Sequence, residues 1–533
     1  MKRNYIYAIV ALFVFALVGC EDLDTLPEGG TVTSSQKEEV LENNSERAEA
    51  GVNGIFAKFS EYMPNETALG ASRHNDFGYP SVMFFTDANG YDMASADVGY
   101  NWLGNSLEYA DRSYTSYESQ MVWNNMYAII STSNNVIASI PRDTEDPLAQ
   151  FYLAQGLAVR SFSYLVLAQL YQFNYVGNET EPCVPIITDK NMEEVALTGA
   201  ERATVEEVYT QIEGDIDAAI SLLDSASTAG VIRADKRYIS LAVAHGIRAR
   251  MNLAMQNWVE AATDATSAIE VSSAAPSSIE DASKPAFMSV EESNWMWGII
   301  IAETDDVVNS GIVNWISHMG SLNWGYANYS GGMSINKKLF ESIPESDARK
   351  GWWIDENLES PNLNDQEAEW MINTGYRPYV QVKFAPYKYE VGTTVNGNDV
   401  PLMRIEEMYL IKAEAEAMSG GGSIALVDFI TTYRDESYIC PAITPEEIQE
   451  EVFKHRRIEL WGEGLNWFDV MRLNKDVDRR GGAFPDATMV FNIPAGSDIL
   501  LWRIPEAEIQ SNPLLDESDN NPAAPAPEPV TDL

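Results

Sequence analysis

The segment 151–173 constrains the fold most, because it has the period of an α-helix and is apolar on both faces. One face recurs at spacings of four and three residues and consists of Leu153, Leu157, Ser161, Tyr164, Ala168 and Tyr171. The opposite face carries Ala154, Ala158, Phe162 and Leu165. A helix that is hydrophobic all round must be covered on both sides. We therefore expect a core built from several layers of helices.

Other segments predict helices with well-defined starts. Thr204 and Glu207 form a capping box, in which the hydroxyl and the carboxylate satisfy free N–H groups of the first turn. The stretch 444–447, Thr-Pro-Glu-Glu, is a second start of this kind. Helices are further predicted over 236–254, 257–269, 402–418 and 466–473. The first two of these are rich in Ala, are joined by a short turn and together resemble a tetratricopeptide hairpin.

The N-terminus predicts export from the cytoplasm. Lys2 and Arg3 precede a run, 6–18, that is almost purely apolar and is too short for a comfortable transmembrane helix. Gly19 and Cys20 follow and resemble a bacterial lipobox, in which the Cys is lipidated and becomes the mature N-terminus. Acyl chains on Cys20 would hold the protein on a membrane. The alternative is an ordinary signal peptide with a chance Cys.

Charge and cysteine content exclude several classes of protein. The chain has 35 Lys+Arg against 80 Asp+Glu, a formal net charge of -45, which repels the phosphates of nucleic acid. Three Cys exclude a disulfide scaffold, although Cys183 and Cys440 could pair in an oxidising compartment, which the sequence leaves open. The four His form no metal-binding pair, and no nucleophile or nucleotide-binding motif is present. We expect no catalytic residue, no cofactor and no metal.

Aromatic residues mark the candidate binding region. Six of the 13 Trp lie between 295 and 353, and further aromatics accompany Gly, Asn and Asp in 74–105. A flat ring can cover the apolar C–H face of a sugar while polar side chains bind its hydroxyl groups. The predicted ligand-binding residues are Trp102, Trp315, Trp324, Tyr326, Tyr100 and Tyr79. Most tryptophans belong to protein cores, and the run containing Trp295 and Trp297 predicts a strand or core.

These features divide the chain into regions. Between 275 and 400, Gly, Asn, Ser and Pro become frequent and helical periodicity fades, with 319–336 predicted as loop. The tail from Asp516 onwards is rich in Pro and Ala and is expected to be irregular. The predicted regions are a signal peptide (1–19), a lipidated tether (20–45), an N-terminal helical region with hairpins (46–274), a loop-rich and aromatic-rich ligand-binding region (275–400), and a C-terminal helical region with the tail (401–533).

The order of several motifs resembles one family. The stretches LMRIEEMYLIKAEAEA (402–417), HRRIELWGEGLNWFDVMR (455–472) and RIPEAEIQSNPLL (503–515) resemble the SusD/RagB family of surface nutrient-binding lipoproteins. Asn466 stands where that family usually has Arg, and Leu473 where it has Trp. The charged motif residues Arg456, Arg457, Glu459, Glu463 and Asp469 are placed for ion pairs and caps. We expect them to hold the terminal helices together and not to bind ligand.

The resemblance implies both a fold and a role. It implies a mostly α fold of tetratricopeptide-like helical hairpins, with an irregular, loop-rich insertion that carries the ligand site. It also implies a surface lipoprotein of the outer membrane, anchored by lipid, which binds an oligosaccharide or polysaccharide and passes it to a SusC-like TonB-dependent transporter. The implied role is binding and transfer without catalysis. The alternatives are a peptide-binding member of the same family, a lipid-anchored hydrolase and a tetratricopeptide-type adaptor that binds only protein.

Overall fold

Helices dominate the computed structural model, which describes residues 46–95, 102–328 and 331–533. The α-helices of eight residues or more are α1 (Glu46–Ala57), α2 (Tyr79–Asn89), α3 (Tyr117–Ser139), α4 (Pro147–Tyr171), α5 (Val205–Thr228), α6 (Leu241–Ala254), α7 (Trp258–Val271), α8 (Asp365–Thr374), α9 (Ile405–Glu416), α10 (Ile424–Tyr433) and α11 (Pro445–Glu459). Shorter α-helices span Glu66–Leu69, Gly104–Leu107, Met192–Thr198, Ile279–Ala282, Asp306–Asn309, Trp315–Met319, Lys337–Glu341, Asn466–Arg472 and Glu506–Ser511. The predicted fold class, mostly α, is confirmed.

Helix α4 is the doubly apolar helix that the sequence predicts. It is long and apolar enough to cross a bilayer, but its apolar stretch is buried throughout inside the protein. Helix α3 packs against one side of it and α5 against another. The apolar residues on both faces are therefore explained by helical neighbours, as expected for a layered core.

The predicted helix starts and the hairpin are also present. Both capping boxes form, with Thr204 accepting from the Glu207 N–H and Thr444 accepting from the Glu447 N–H. Helices α6 and α7 are joined by the turn 255–257 and pack against each other. Ala249, Ala265 and Ala268 are fully buried between them and their neighbours, since small side chains allow close approach.

Two predicted helices begin later than expected. Residues 236–240 are not helical, because Ser240 caps α6 by accepting from the Val243 N–H. Residues 400–404 form a strand in place of the first turn of the predicted 402–418 helix. This strand, β2 (Val400–Arg404), pairs antiparallel with β1 (Trp295–Ile299), so it uses its backbone groups across the sheet.

The region 275–400 is built mainly of short helices, turns and loops among its described residues. Strand β1 contains Trp295 and Trp297, which are fully buried, as their sequence context predicts. A second small sheet lies nearer the C-terminus and joins β3 (Val477–Asp478) to β4 (Asn492–Ile493). The boundaries of the predicted regions stay a prediction.

A cluster of buried charges joins the C-terminal helices to the loop-rich region. At the end of α11, Glu459 receives hydrogen bonds from Arg434 Nε at 2.8 Å, Arg404 Nη1 at 3.1 Å and Arg349 Nη1 at 3.2 Å. Glu463 accepts hydrogen bonds from Lys383 Nζ at 2.6 Å and from Arg404 Nε at 2.9 Å. The buried ion cluster consists of Arg349, Lys383, Arg404, Arg434, Asp347, Glu406, Glu459 and Glu463.

The buried ion cluster balances cations against carboxylates. Burial alone would raise the pKa of Glu459, but Arg434, Arg404 and Arg349 outweigh it and hold that pKa well below its ordinary value. Burial lowers the pKa of Lys383 to about 8, against the attraction of Glu463. The cluster therefore depends on having every partner in place, since a buried charge without its partner is strongly destabilising.

The remaining charged motif residues are structural too, as the sequence predicts. Arg456 Nε and Arg472 Nε contact the two oxygens of Asp469 at 2.6 and 2.8 Å. Arg457 Nε lies 2.9 Å from an oxygen of Asp92, in the segment that follows α2. The turn after α11 needs glycine at 464, where φ is +71° and a Cβ atom would lie 2.5 Å from the Cβ of Met83.

Two cysteines lie among the described residues. Cys183 is buried and Cys440 half-buried, and both are free thiols.

The tail is largely irregular, as predicted, but its first part docks on the helical body. Asn521 Nδ2 donates to the Trp502 and Tyr171 carbonyls at 2.7 and 2.8 Å, and Arg202 Nη2 donates to Asn521 at 2.8 Å.

We predict that Glu459→Gln lowers the free energy of unfolding by about 3–5 kcal/mol, because it removes the carboxylate that three buried arginines share. Urea unfolding followed by circular dichroism measures this change. The control is Asp281→Asn, which breaks an exposed pair with Lys284 and should cost less than about 1 kcal/mol. Equal, small effects of both substitutions would contradict the structural role of the buried ion cluster.

Candidate functional site

The candidate site is centred on the aromatic loop, which we define as residues 319–328 and which begins at the last residue of the short helix Trp315–Met319. Buried amide side chains fix its shape. Asn328 Nδ2 donates to the Gly320 carbonyl at 2.7 Å, while Asn328 Oδ1 accepts from the Gly325 N–H at 3.0 Å. Asn323 Nδ2 donates to Asn396 Oδ1 at 2.5 Å. Because these amides satisfy the backbone of an irregular segment, the loop has a defined conformation without regular secondary structure.

A neighbouring segment holds the aromatic loop from the other side. The Trp324 N–H donates to the Thr393 carbonyl at 2.8 Å, and the Gly392 N–H donates to the Leu322 carbonyl at 2.7 Å. From α8, Trp370 Nε1 donates to the Ser321 carbonyl at 2.8 Å. The loop is therefore tied at several points before any ligand arrives.

Rings from three parts of the chain meet at this loop. The ring centroid of Trp102 lies 6.0 Å from that of Tyr326, 5.6 Å from that of His318 and 5.4 Å from that of His74. Asn75 Nδ2 fixes the Trp102 backbone by donating to its carbonyl at 2.7 Å. Tyr326 is 42% exposed, Trp324 is half-buried and Trp102 is 6% exposed. We call Trp102, Trp324 and Tyr326 the aromatic shelf.

His318 lies beneath the aromatic shelf in an apolar setting. Its ring is 5.4 Å from that of Phe77 and 5.1 Å from that of Phe84, and its Nε2 lies 3.2 Å from the His74 carbonyl oxygen. Burial lowers the pKa of His318 to about 4, and burial also lowers the pKa of His74. The base of the shelf is therefore uncharged near neutral pH.

The structure separates the sequence-predicted site residues into three groups. Trp102, Trp324 and Tyr326 come together at the aromatic loop. Trp315 does not offer a face, because it is 2% exposed and its ring packs 4.8 Å from that of Phe384. Tyr79 is 4% exposed and packs in the core against Phe59 and Phe162. Tyr100 and Cys20 lie outside the described residues.

Sequence reasoning missed the residues that support the shelf. His318, His74 and the amides of Asn323, Asn328 and Asn396 do not appear among the predicted site residues. The high Asn content of 314–328 was visible in the sequence, but the pairing of Asn323 with Asn396 spans 73 residues and has no local signal.

The described residues also include a cavity away from the aromatic loop. A cavity of about 320 Å³ lies beside α1 and β1, lined among others by Phe56, Tyr62, Trp297 and Asp306. Within the described residues, no group of three or more His, Cys, Asp or Glu side chains is arranged to hold a metal ion.

We predict that His318 makes the stability of the fold depend on pH. Its pKa is depressed in the folded chain, so the unfolded chain takes up the proton first and stability falls as pH drops from about 7 to about 5, by about 2 kcal/mol from this group. Urea unfolding at both pH values measures the free energy of unfolding. Its decrease between about pH 7 and about pH 5 should be smaller in His318→Gln than in the wild type, by about 2 kcal/mol. An identical loss in both proteins would contradict the assignment.

Comparison with known proteins places this architecture among relatives. One family model, described as "Starch-binding associating with outer membrane", matches residues 76–244, and a second, described as "SusD family", matches residues 347–522. SusD-like protein P2 of Formosa agariphila is 23% identical over 557 residues, which cover 98% of this chain and 100% of the relative.

Solved structures share the same fold. A SusD-like carbohydrate binding protein from Bacteroides vulgatus superposes with a TM-score of 0.71 at 23% identity, covering 90% of this chain and 98% of that one. A laminarin binding SusD-like protein gives a TM-score of 0.62 at 17% identity, with coverage of 90% and 99%. The helical layers, the charged C-terminal motif and both family models agree, and the chain belongs to the SusD/RagB family.

Proposed function

We propose that this protein binds a glycan on the aromatic shelf. The observation that carries the proposal is the exposed ring of Tyr326 beside Trp102, on a loop that buried amides hold in place. Two relatives support it, since one similar structure is a SusD-like carbohydrate binding protein and another a laminarin binding SusD-like protein. The description of the family model that matches residues 76–244 also includes starch binding.

The energetics of such a shelf suit capture and release. A sugar ring stacked on an aromatic side chain contributes about 1–2 kcal/mol, so stacks on Trp324 and Tyr326, the two rings of the shelf that are not buried, give a Kd in the millimolar to tens-of-millimolar range. Because the loop is already ordered, binding does not have to order it, and more of the contact energy appears as affinity. Affinity of this size allows the ligand to be handed on.

Membership of the family supports a proposal for the wider role. We propose that Cys20 is acylated and anchors the protein to the outer membrane, with the body at the cell surface. A SusC-like TonB-dependent transporter would receive the glycan from the shelf. The protein itself does no chemistry in this scheme, because capture requires equilibrium binding and not bond cleavage.

We predict that Trp324→Ala and Tyr326→Ala each weaken glycan binding by about tenfold, since each removes one stacking surface worth about 1–2 kcal/mol. A panel of purified polysaccharides that includes laminarin identifies the ligand, and isothermal titration calorimetry measures the Kd. The matched control is Tyr62→Ala, because Tyr62 is 41% exposed and lines the cavity beside α1, outside the aromatic loop. A loss of affinity in this variant would place the ligand in that cavity instead.

Three outcomes would contradict glycan binding at the shelf. The first is unchanged affinity in both shelf variants. The second is release of new reducing ends by the purified protein, which would favour the lipid-anchored hydrolase. The third is binding of peptides with no binding to any glycan, which would favour the peptide-binding alternative.

We predict that Cys20→Ser produces a chain without acyl groups that no longer partitions with membranes, because the lipidated sulfur is lost. Mass spectrometry of the mature N-terminus and membrane fractionation measure this. Cys440→Ser is the control and should remain acylated and membrane-bound. A wild-type chain without acyl groups would contradict the anchor.

A further inference from the structure

Arg377 is an arginine without a partner. Among the arginines whose side chains the structure describes, it alone has no hydrogen bond, ion pair or aromatic contact, and its Nη2 atom is buried. The side chain is half-buried, and burial, acting alone, lowers its pKa. Among the residues that the structure describes, no carboxylate offsets that effect.

Other buried arginines in the protein are compensated. Arg434 and Arg472 each bind two carboxylates. Arg479, which has no carboxylate partner, donates to the carbonyls of Gly90, Leu107 and Ala88 at 3.0, 2.5 and 2.8 Å. A guanidinium that leaves water without such partners lowers the stability of the fold. Arg377 therefore differs from the arginines just described, which have carboxylate or carbonyl partners.

The position of Arg377 links it to the candidate site. Its neighbour Tyr376 belongs to the same small core as Leu322 of the aromatic loop. The Tyr376 ring also lies against Gly332, where an added Cβ atom would be 3.0 Å from Cδ1. Two residues further on, the Tyr379 carbonyl accepts from the Ile335 N–H at 3.0 Å. Arg377 therefore lies between two residues that contact the aromatic loop or the segment that follows it.

We propose that Arg377 binds an anionic group of the glycan, a uronate carboxylate or a sulfate ester, and so selects acidic glycans. This inference rests on the proposed function, whose ligand class it narrows. A guanidinium presents parallel N–H groups that match the two oxygens of such an anion. The net charge of -45 opposes anions elsewhere on the surface, so a local cation free of carboxylates is what an acidic ligand requires.

The test compares charged probes with neutral probes of the same glycan backbone. Oligogalacturonate is paired with its methyl ester, and sulfated laminarin with laminarin. We expect Arg377→Gln to weaken binding of the charged member of the preferred pair by about tenfold or more, while binding of its neutral partner changes less than about twofold. Arg377→Lys should retain part of the binding, because it keeps the charge and loses the paired geometry.

A measurement without ligand supports or overturns the inference independently. Because Arg377 is uncompensated, Arg377→Gln should leave the Tm of the free protein unchanged or raise it, whereas a structural arginine would lower it by several degrees. The control is Arg480→Gln, which removes an arginine that pairs with Asp478 at the surface and should alter neither charged nor neutral binding.

The outcomes separate this inference from the proposed function. Equal binding of charged and neutral probes, weakened by Trp324→Ala and Tyr326→Ala but not by Arg377→Gln, would overturn the role of Arg377 alone. Binding of charged probes that depends on Arg377 but not on the shelf would support an anion site and contradict the proposed function. No binding of any probe, or poly-glutamate bound as tightly as the charged glycans, would overturn the inference.

Discussion

The rest of the structure depends on the contact of Glu459 with three arginines that come from separate parts of the chain. Arg349 precedes α8, Arg404 ends β2 and Arg434 follows α10, and each reaches the same carboxylate at the end of α11. Such a cluster is weak evidence for net stability, because removing ions from water costs much of what their attraction gains. Its effect is to specify which segments lie together.

The buried ion cluster also positions the candidate site. Lys383 belongs to the cluster, and the residues beside it hold the start of the aromatic loop. Gln381 Nε2 donates to the Met319 carbonyl at 2.6 Å, and Ser321 Oγ donates to the Gln381 carbonyl at 2.5 Å. Phe384 packs against Trp315, at the beginning of the helix that leads into the loop. The contacts therefore run from the buried ion cluster, through residues 381–384, to the aromatic loop.

Local patterns in the sequence predicted the helices, and long-range pairing limited what they could predict. Helix α4 and the two capping boxes follow from the spacing of residues within one or two turns. Strand β2 could not be recognised in this way, because its partner β1 lies about a hundred residues earlier and its own residues also suit a helix. The charged motif near 459 was predicted to be structural, but its partners at 349 and 434 were not identified.

The same limit applies to the site. Trp315 and Trp324 occur in similar Gly- and Asn-rich surroundings, so the sequence predicts the same exposure for both side chains. Phe384 covers Trp315, whereas Trp324 is tied through its backbone to Thr393 and stays half-buried. Exposure is decided by residues 60 to 70 positions away, so it requires the tertiary structure. His318 shows the same effect, because it is kept neutral by burial among rings from distant parts of the chain, which include Phe77 and Phe84.

The most direct test of the account is hydrogen–deuterium exchange of the whole chain with and without a glycan selected from the polysaccharide panel. We expect slower exchange in peptides that cover 319–328 and the segments around His74 and Trp102, with little change in the helical layers. Protection confined to the cavity beside α1, or to the outer helices, would contradict the claim that the aromatic shelf binds the ligand.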